Sequence, residues 1–335
     1  MAARVAVVDR SEAADWDEAL WRQPGASIYA SRIWGTYKSR VGWSVRRVAL
    51  CGEGGEDLGY LQYQERRRGP VRRILVQGGF VPTARGQGRT EALLGAFLDH
   101  LALGPADLLA IKSYRSHDPE GIAALLAHRF VPVVAGKDHT IELDLSPETG
   151  AILAAAERRW RRELSKAQAN AELTTVFLTE PDERLRAYDT FVRMYAALQR
   201  RKGFTGDLDT AAYRDLAACD PHLLFLEVRE GGEPILVRIV HTARERWTDF
   251  FTASDERARA TAAATLAVWR IVERARQAGA RSFDFGGVDP ADNRGVFDFK
   301  RALSRNVVQG GPTWIYARNP VVRRAAATLL FLRQI

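Results

Sequence analysis

The sequence predicts a mixed α/β (α+β) protein built from two similar domains in tandem, each a mixed, mostly antiparallel sheet flanked by helices. Three observations predict this. At 335 residues the chain exceeds most single cores and fits two domains of about 150 to 180 residues each. A hydrophobic content of 46% with 27% charged residues is that of a globular chain, not a disordered one. Most informative, "GRTEALLGAFLDHLALGPADLLAIKS" (88–113) reads as an apolar-periodic helix, a glycine-containing stop and a strand, and "TAAATLAVWRIVERARQAGARSFDFGG" (261–287) repeats that order.

The elements follow in chain order. "SVRRVALCGEGGEDLGYLQYQER" (44–66) alternates around a glycine-rich turn and predicts a hairpin, followed by the strand "RRILVQGGF" (72–80). The second half matches it with "HLLFLEVREGGEPILVRIVHTA" (222–243) and "RWTDFFTAS" (246–254). Between the halves, "IELDLSPETGAILAAAERRW" (141–160) ends a strand at Leu145 and opens a helix with Ser146 as cap and Pro147 at its first position. The expected domains are therefore 1–145 and 146–335. That helix carries Arg158, Arg159, Arg161, Arg162 and Lys166 around Trp160; the run is either a solvated face or a surface for phosphates. A later helix ends in Arg200-Arg201-Lys202 before Gly203, where cations complement the helix C-terminus or hold an anion.

The stretch "RSFDFGGVDPADNRGVFDFKRAL" (281–303) is the most pointed in the chain. Phe283 and Phe285 share one face of a strand and leave Asp284 on the other. Gly286 and Gly287 allow a turn or a close approach to a ligand, and Asp289, Asp292 and Asn293 favour a loop. A short helix then carries Lys300 near its middle. The last segment, "NPVVRRAAATLLFLRQI" (319–335), predicts a terminal helix packed on the second domain, with contact to a membrane face as the other reading.

Against 49 Lys+Arg stand 41 Asp+Glu, a net charge of +8, which favours an anionic partner. Cys51 and Cys219 have unrelated contexts, so neither a disulfide framework nor a thiolate metal site is expected. The histidines lack ligand spacing, so no metal is expected. The first residues contain acids and no long apolar core, and no apolar run reaches the ~18 residues of a spanning helix. A cytoplasmic protein is the expectation.

Four motifs, taken together, resemble one family. "SRIWGTYKSRVGW" (31–43), with W-G-x-x-K-x-x-x-G-W from Trp34 to Trp43, is similar to the N-terminal signature of the Fem family of aminoacyl-tRNA-dependent peptidyltransferases. "RRELSKA" (161–167) looks like its basic helix, "LQRRKGF" (198–204) like its R-x-G-F turn, and the segment ending in F-D-F-K like its C-terminal signature. The motifs run in the family's order from Trp34 to Leu303. The chain departs from the family pattern at Ala30-Ser31 and at Gly78-Gly79-Phe80, which leaves the acceptor open among peptidoglycan, exopolysaccharide and small-peptide pathways.

The resemblance implies two GNAT-like acyltransferase domains and transfer of an amino acid from charged tRNA to an amine, commonly on a peptidoglycan precursor of the cell wall. It implies that Lys38, beside Trp34, and Arg201 hold precursor phosphates, and that Lys300 sits at the reacting ester. It implies no cofactor beyond the aminoacyl-tRNA co-substrate. The chemistry makes two demands. An amine of pKa near 10.4 lies about 4.6 kcal/mol from its free base at pH 7, so a carboxylate, Asp284 or Asp289, is expected to take its proton. The oxyanion at the ester carbonyl needs a fixed cation, the role expected of Lys300. Gly286 and Gly287 are expected at the substrate, and Arg158, Arg161, Arg162 and Lys166 on the tRNA backbone. One feature favours a rival: "RGQGRT" (85–90) approaches the acyl-CoA pyrophosphate loop, so an acyl-CoA-dependent N-acyltransferase is the alternative, and a non-enzymatic anion-binding module the next.

Overall fold

The computed structural model describes residues 4–23, 25–112, 118–134, 139–203, 208–291 and 293–332. The chain forms two compact units, Met1–Asp138 with Gln309–Ile335, and His139–Val308.

In the first unit, strands β1 (Ala6–Asp9), β2 (Ser44–Cys51), β3 (Asp57–Arg68), β4 (Val71–Gln77), β6 (Leu108–Lys112), β7 (Val131–Val133) and β15 (Thr313–Tyr316) lie in the order β1-β2-β3-β4-β6-β15-β7, with β5 (Val81–Pro82) paired to β3. Among the described residues only β4 and β6 pair in parallel, because α3 (Thr90–Leu101) carries the chain back between them. Leu93, Leu94, Phe97 and Leu101 form the buried face of α3, and Ala102, at φ 44°, ends it in the left-handed region. The other helices of this unit are α1 (Trp16–Trp21), α2 (Arg32–Arg40), α4 (Pro119–Ala127) and the terminal α12 (Pro320–Leu332). Ser31 caps α2 by accepting from the Trp34 N–H, and Asp118 caps α4 ahead of Pro119.

In the second unit, β8 (His139–Asp144), β9 (Leu173–Leu178), β10 (Leu223–Glu230), β11 (Glu233–Thr242), β12 (Arg246–Ser254), β13 (Ser282–Gly287) and β14 (Val307–Gln309) lie in the order β14-β8-β13-β12-β11-β10-β9. The β10–β11 turn places both Gly231 (φ 57°) and Gly232 (φ 87°) where only glycine is unstrained. Strands β12 and β13 pair in parallel, bridged by α9 (Arg257–Ala260) and α10 (Ala263–Gln277). Helices α5 (Thr149–Ala155), α6 (Arg158–Ala169), α7 (Pro181–Lys202), α8 (Thr210–Cys219) and α11 (Arg294–Arg301) complete the unit. Phe283, Phe285 and Trp160 pack with the buried face of α10, including Trp269, in the unit's core. Each unit is thus a mostly antiparallel sheet with a parallel pair and a helix crossing over it, the order expected from the repeated outline.

The structure differs from expectation in three places. The division is not 1–145 and 146–335: β8 hydrogen-bonds to β13 in the second sheet, and β15 pairs with both β6 and β7 in the first. Helix α12 therefore packs on the first unit, with Ala327 buried against Val133 and Ile315. The helix expected from Ser146 is two helices. Ser146 instead donates its N–H to Asp144, Glu148 is the residue before α5, and extended backbone at Ala156 and Glu157 separates α5 from α6.

Candidate active site

The second unit gathers charge where its parallel ladder stops. β12 and β13 pair only from Arg246↔Ser282 to Thr248↔Asp284, and the β13–β8 register shifts between Asp284 and Gly287. Gly286 sits at the shift with φ 72°, and a Cβ there would lie 3.2 Å from the Asp249 carbonyl oxygen. Only glycine accepts that backbone without strain. The carbonyls of this turn face α11: the Lys300 Nζ donates to the oxygen of Gly287 at 2.8 Å and of Gly286 at 3.2 Å, and the Gly286 oxygen also accepts from the Thr140 hydroxyl at 2.8 Å. Lys300 lies near the end of its helix rather than the middle, which lets the side chain reach back to this turn. Two of its three N–H groups are used in this way, leaving one for another acceptor.

Asp249 and Arg238, on β12 and β11, stand beside Lys300. The Arg238 Nη1 is 3.6 Å from the Asp249 carboxylate, and the two side chains are 5% and 10% exposed, so the pair is dry but reachable. The Thr252 hydroxyl donates to Asp249 at 3.1 Å. Burial pushes the Asp249 carboxyl up from its ordinary value, against the pull of Arg238 and Lys300. Burial likewise pulls the Lys300 ammonium down, with Asp249 opposing and Arg238 assisting.

Asp284 is engaged by partners within the protein. It is buried and accepts from the Thr140 hydroxyl, the Gly286 N–H at 2.9 Å and Arg246 at 2.6 Å; Arg246 also pairs with Glu142 at 2.6 Å. A carboxylate so fully engaged braces the glycine turn. Asp289 accepts from the Ala291 N–H and closes a local turn. Asp292 and Phe204 lie outside the described residues.

The remaining expected residues form separate groups. In the first unit, the Lys38 ammonium lies over the Trp34 ring, 5.0 Å from its centroid, while the buried Trp34 donates its indole N–H to Gln77 at 3.0 Å. In the second, Arg201 pairs with Glu256 at 3.2 Å. Its neighbour Lys202 reaches Asn293, just ahead of α11, at 3.4 Å, so the end of α7 meets the loop leading to Lys300. On α6, Arg158, Arg161, Arg162 and Lys166 are exposed, whereas Trp160 packs edge-on against Trp269 and is not available for stacking. Arg161 and Lys166 also donate to the carbonyls of Ala154 and Ala260.

The glycine-rich loop of the rival reading is already occupied. Its Gly88 and Thr90 N–H groups donate to the Glu120 carboxylate at 3.0 and 2.8 Å, and the Thr90 hydroxyl does the same. An internal carboxylate holds the place of an anion.

Sequence reasoning missed Asp249, Arg238, Thr140 and Glu120. Two of them carried a signal. Arg238 interrupts the apolar run "ILVRIV", and Asp249 stands in "WTDFFT" much as Asp284 stands in "SFDFG"; a lone charge inside an otherwise apolar strand is expensive unless paired.

Residues 154–301 match the model of the acetyltransferase (GNAT) domain family, and the chain is a transferase. It has the Fem-like tandem GNAT fold. The crystal structure of FemX matches 93% of this chain and 98% of its own, with a TM-score of 0.78 at 16% identity. L-PGS from Bacillus licheniformis matches 95% of this chain and 97% of its own, with a TM-score of 0.55 at 15% identity. A tandem GNAT protein from the clavulanic acid biosynthesis pathway matches 95% and 99%, with a TM-score of 0.53 at 15% identity. No curated protein matches the sequence.

Proposed function

We propose that the chain moves an amino acid from charged tRNA to an amine of an anionic acceptor such as a phosphorylated peptidoglycan precursor, with Lys300 as the cation at the ester. The observation that carries this reading is the Lys300 ammonium, held by two carbonyls of a glycine turn with one donor left over. The amine nitrogen bonds to the ester carbonyl carbon, and the electron pair of the C=O bond moves onto its oxygen. Lys300 donates to that oxygen, a role of several kcal/mol for a preorganised donor. Asp249, with its carboxyl raised by burial, takes the amine proton. Collapse of the intermediate breaks the bond to the ribose oxygen, which leaves with a proton, and the amide remains. Lys38 on the Trp34 ring and Arg201 hold acceptor phosphates, and the exposed arginines of α6 meet tRNA phosphates. The ester is already activated, so no cofactor is required.

A second reading, N-acyl transfer from acyl-CoA, is favoured by the acetyltransferase description of the matched domain. The loop that suggested CoA lies outside that match and is filled by Glu120, which favours the first reading. The test supplies a mixed pool of tRNAs charged with radiolabelled amino acids, or labelled acetyl-CoA, together with amine acceptors. Label is expected in amide linkage from tRNA alone; transfer from acetyl-CoA alone would replace the first reading by the second.

A further inference from the structure

The terminal helix α12 presents an apolar face that nothing among the described residues covers. Its inner side is packed, with Ala327 buried and Ala326 and Leu330 against it. Val321, Ala325, Thr328, Leu329 and Leu332 recur at helical spacing on the outer side and are all exposed. Val321 is 73% exposed, Leu329 and Leu332 are each 62% exposed, and Phe331 is 46% exposed. Large apolar side chains are rarely left together in water without a partner.

The charge around this face selects the partner. Asp298 is the last acidic residue of the chain, so α12 and the segment leading to it contain arginine and no acid. Strands β7 and β15, on which α12 lies, contain no acid either. Arg318 and Arg324 are exposed, and Arg323 lies against the Tyr316 ring. A second copy of this face would bring Arg324 toward its own counterpart with no carboxylate between them. An anionic bilayer offers hydrocarbon for the leucines and phosphate for the arginines at once.

We propose that α12 docks the protein on an anionic lipid surface, lying in the interface along a stripe on the order of 16 Å long. This rests on the helix alone and is independent of the reaction proposed above. Leu329 and Phe331 enter the acyl boundary, and Arg318 and Arg324 remain among the headgroups.

The test is sedimentation of the full chain with vesicles of phosphatidylglycerol and phosphatidylcholine in equal parts, and with vesicles of phosphatidylcholine alone. Binding is expected to the first and much less to the second, and added salt should release it. Leu329→Asp should weaken partitioning by about tenfold or more, and Arg324→Gln by about fivefold. Leu329→Gln, a milder change at the same exposed site, provides a folded comparison, with circular dichroism and Tm unchanged in each variant. Wild-type protein remaining in the supernatant with anionic vesicles at low salt would overturn the proposal. So would a wild-type dimer on size-exclusion chromatography that Leu329→Asp dissociates while vesicle binding is absent.

Discussion

Replacing Lys300 by Met removes the ammonium while keeping an unbranched apolar stem of similar length. Two hydrogen bonds are lost, to Gly286 and Gly287. Gly287 is exposed, so water takes over its carbonyl, while the Gly286 carbonyl keeps the Thr140 hydroxyl at 2.8 Å, and the stability cost is about 1 kcal/mol. The kinetic cost is larger. A unit charge about 3 Å from a developing oxyanion, at an effective dielectric of about 20, interacts by roughly 5 kcal/mol. Mutational loss of one such donor costs about 3 to 4 kcal/mol, or roughly 100- to 1,000-fold in kcat. The assay is single-turnover transfer from pre-charged tRNA at saturating acceptor, alongside urea unfolding of both proteins. Acceptor KM should hardly change, because phosphate holding is assigned to Lys38 and Arg201. A Lys300→Met protein that transfers at the wild-type rate, with the stability loss as calculated, would reduce Lys300 to a brace for the glycine turn.

Rate against pH should give a bell narrowed at both ends. Burial raises Asp249 above its ordinary 3.8 and lowers Lys300 below its ordinary 10.5, so the rise begins later and the fall sooner; Asp249→Asn should abolish the rising limb. Gly286→Ala should cost about 1 to 2 kcal/mol by urea titration, because φ is 72° and the new Cβ would meet the Asp249 carbonyl at 3.2 Å. Glu120→Gln should destabilise the protein at neutral pH. Despite the opposing effect of burial, the Thr90 and Gly88 contacts hold the Glu120 carboxyl below its ordinary 4.5, so its contribution is present above that value. The difference from wild type should shrink as pH falls through the lowered value, as read from Tm. Replacing Arg158, Arg161 and Arg162 by Gln should weaken tRNA binding and flatten its salt dependence, with Tm nearly unchanged.

Much of the fold could be read along the chain because its signals are local. The two helix-to-strand outlines, the glycine pair at 231–232 and the Gly203 stop each depend on neighbours within a few residues, and each element appears where it was expected. The turn at Gly286 and Gly287 and the lysine that follows were legible for the same reason. What tertiary structure decided is who meets whom across the sequence. Asp284 reads as a free acid between two phenylalanines until Thr140 and Arg246 close on it from other strands. Asp249 becomes the acid beside Lys300 only because β12 and β13 stop pairing at Thr248 and Asp284. Glu120 reaches the glycine-rich loop across about thirty residues of chain, and β15 returns to the first sheet by pairing with strands some two hundred residues earlier. Such contacts leave no periodicity to read, because a charge is assigned its partner by the packing of distant strands and not by its neighbours in sequence.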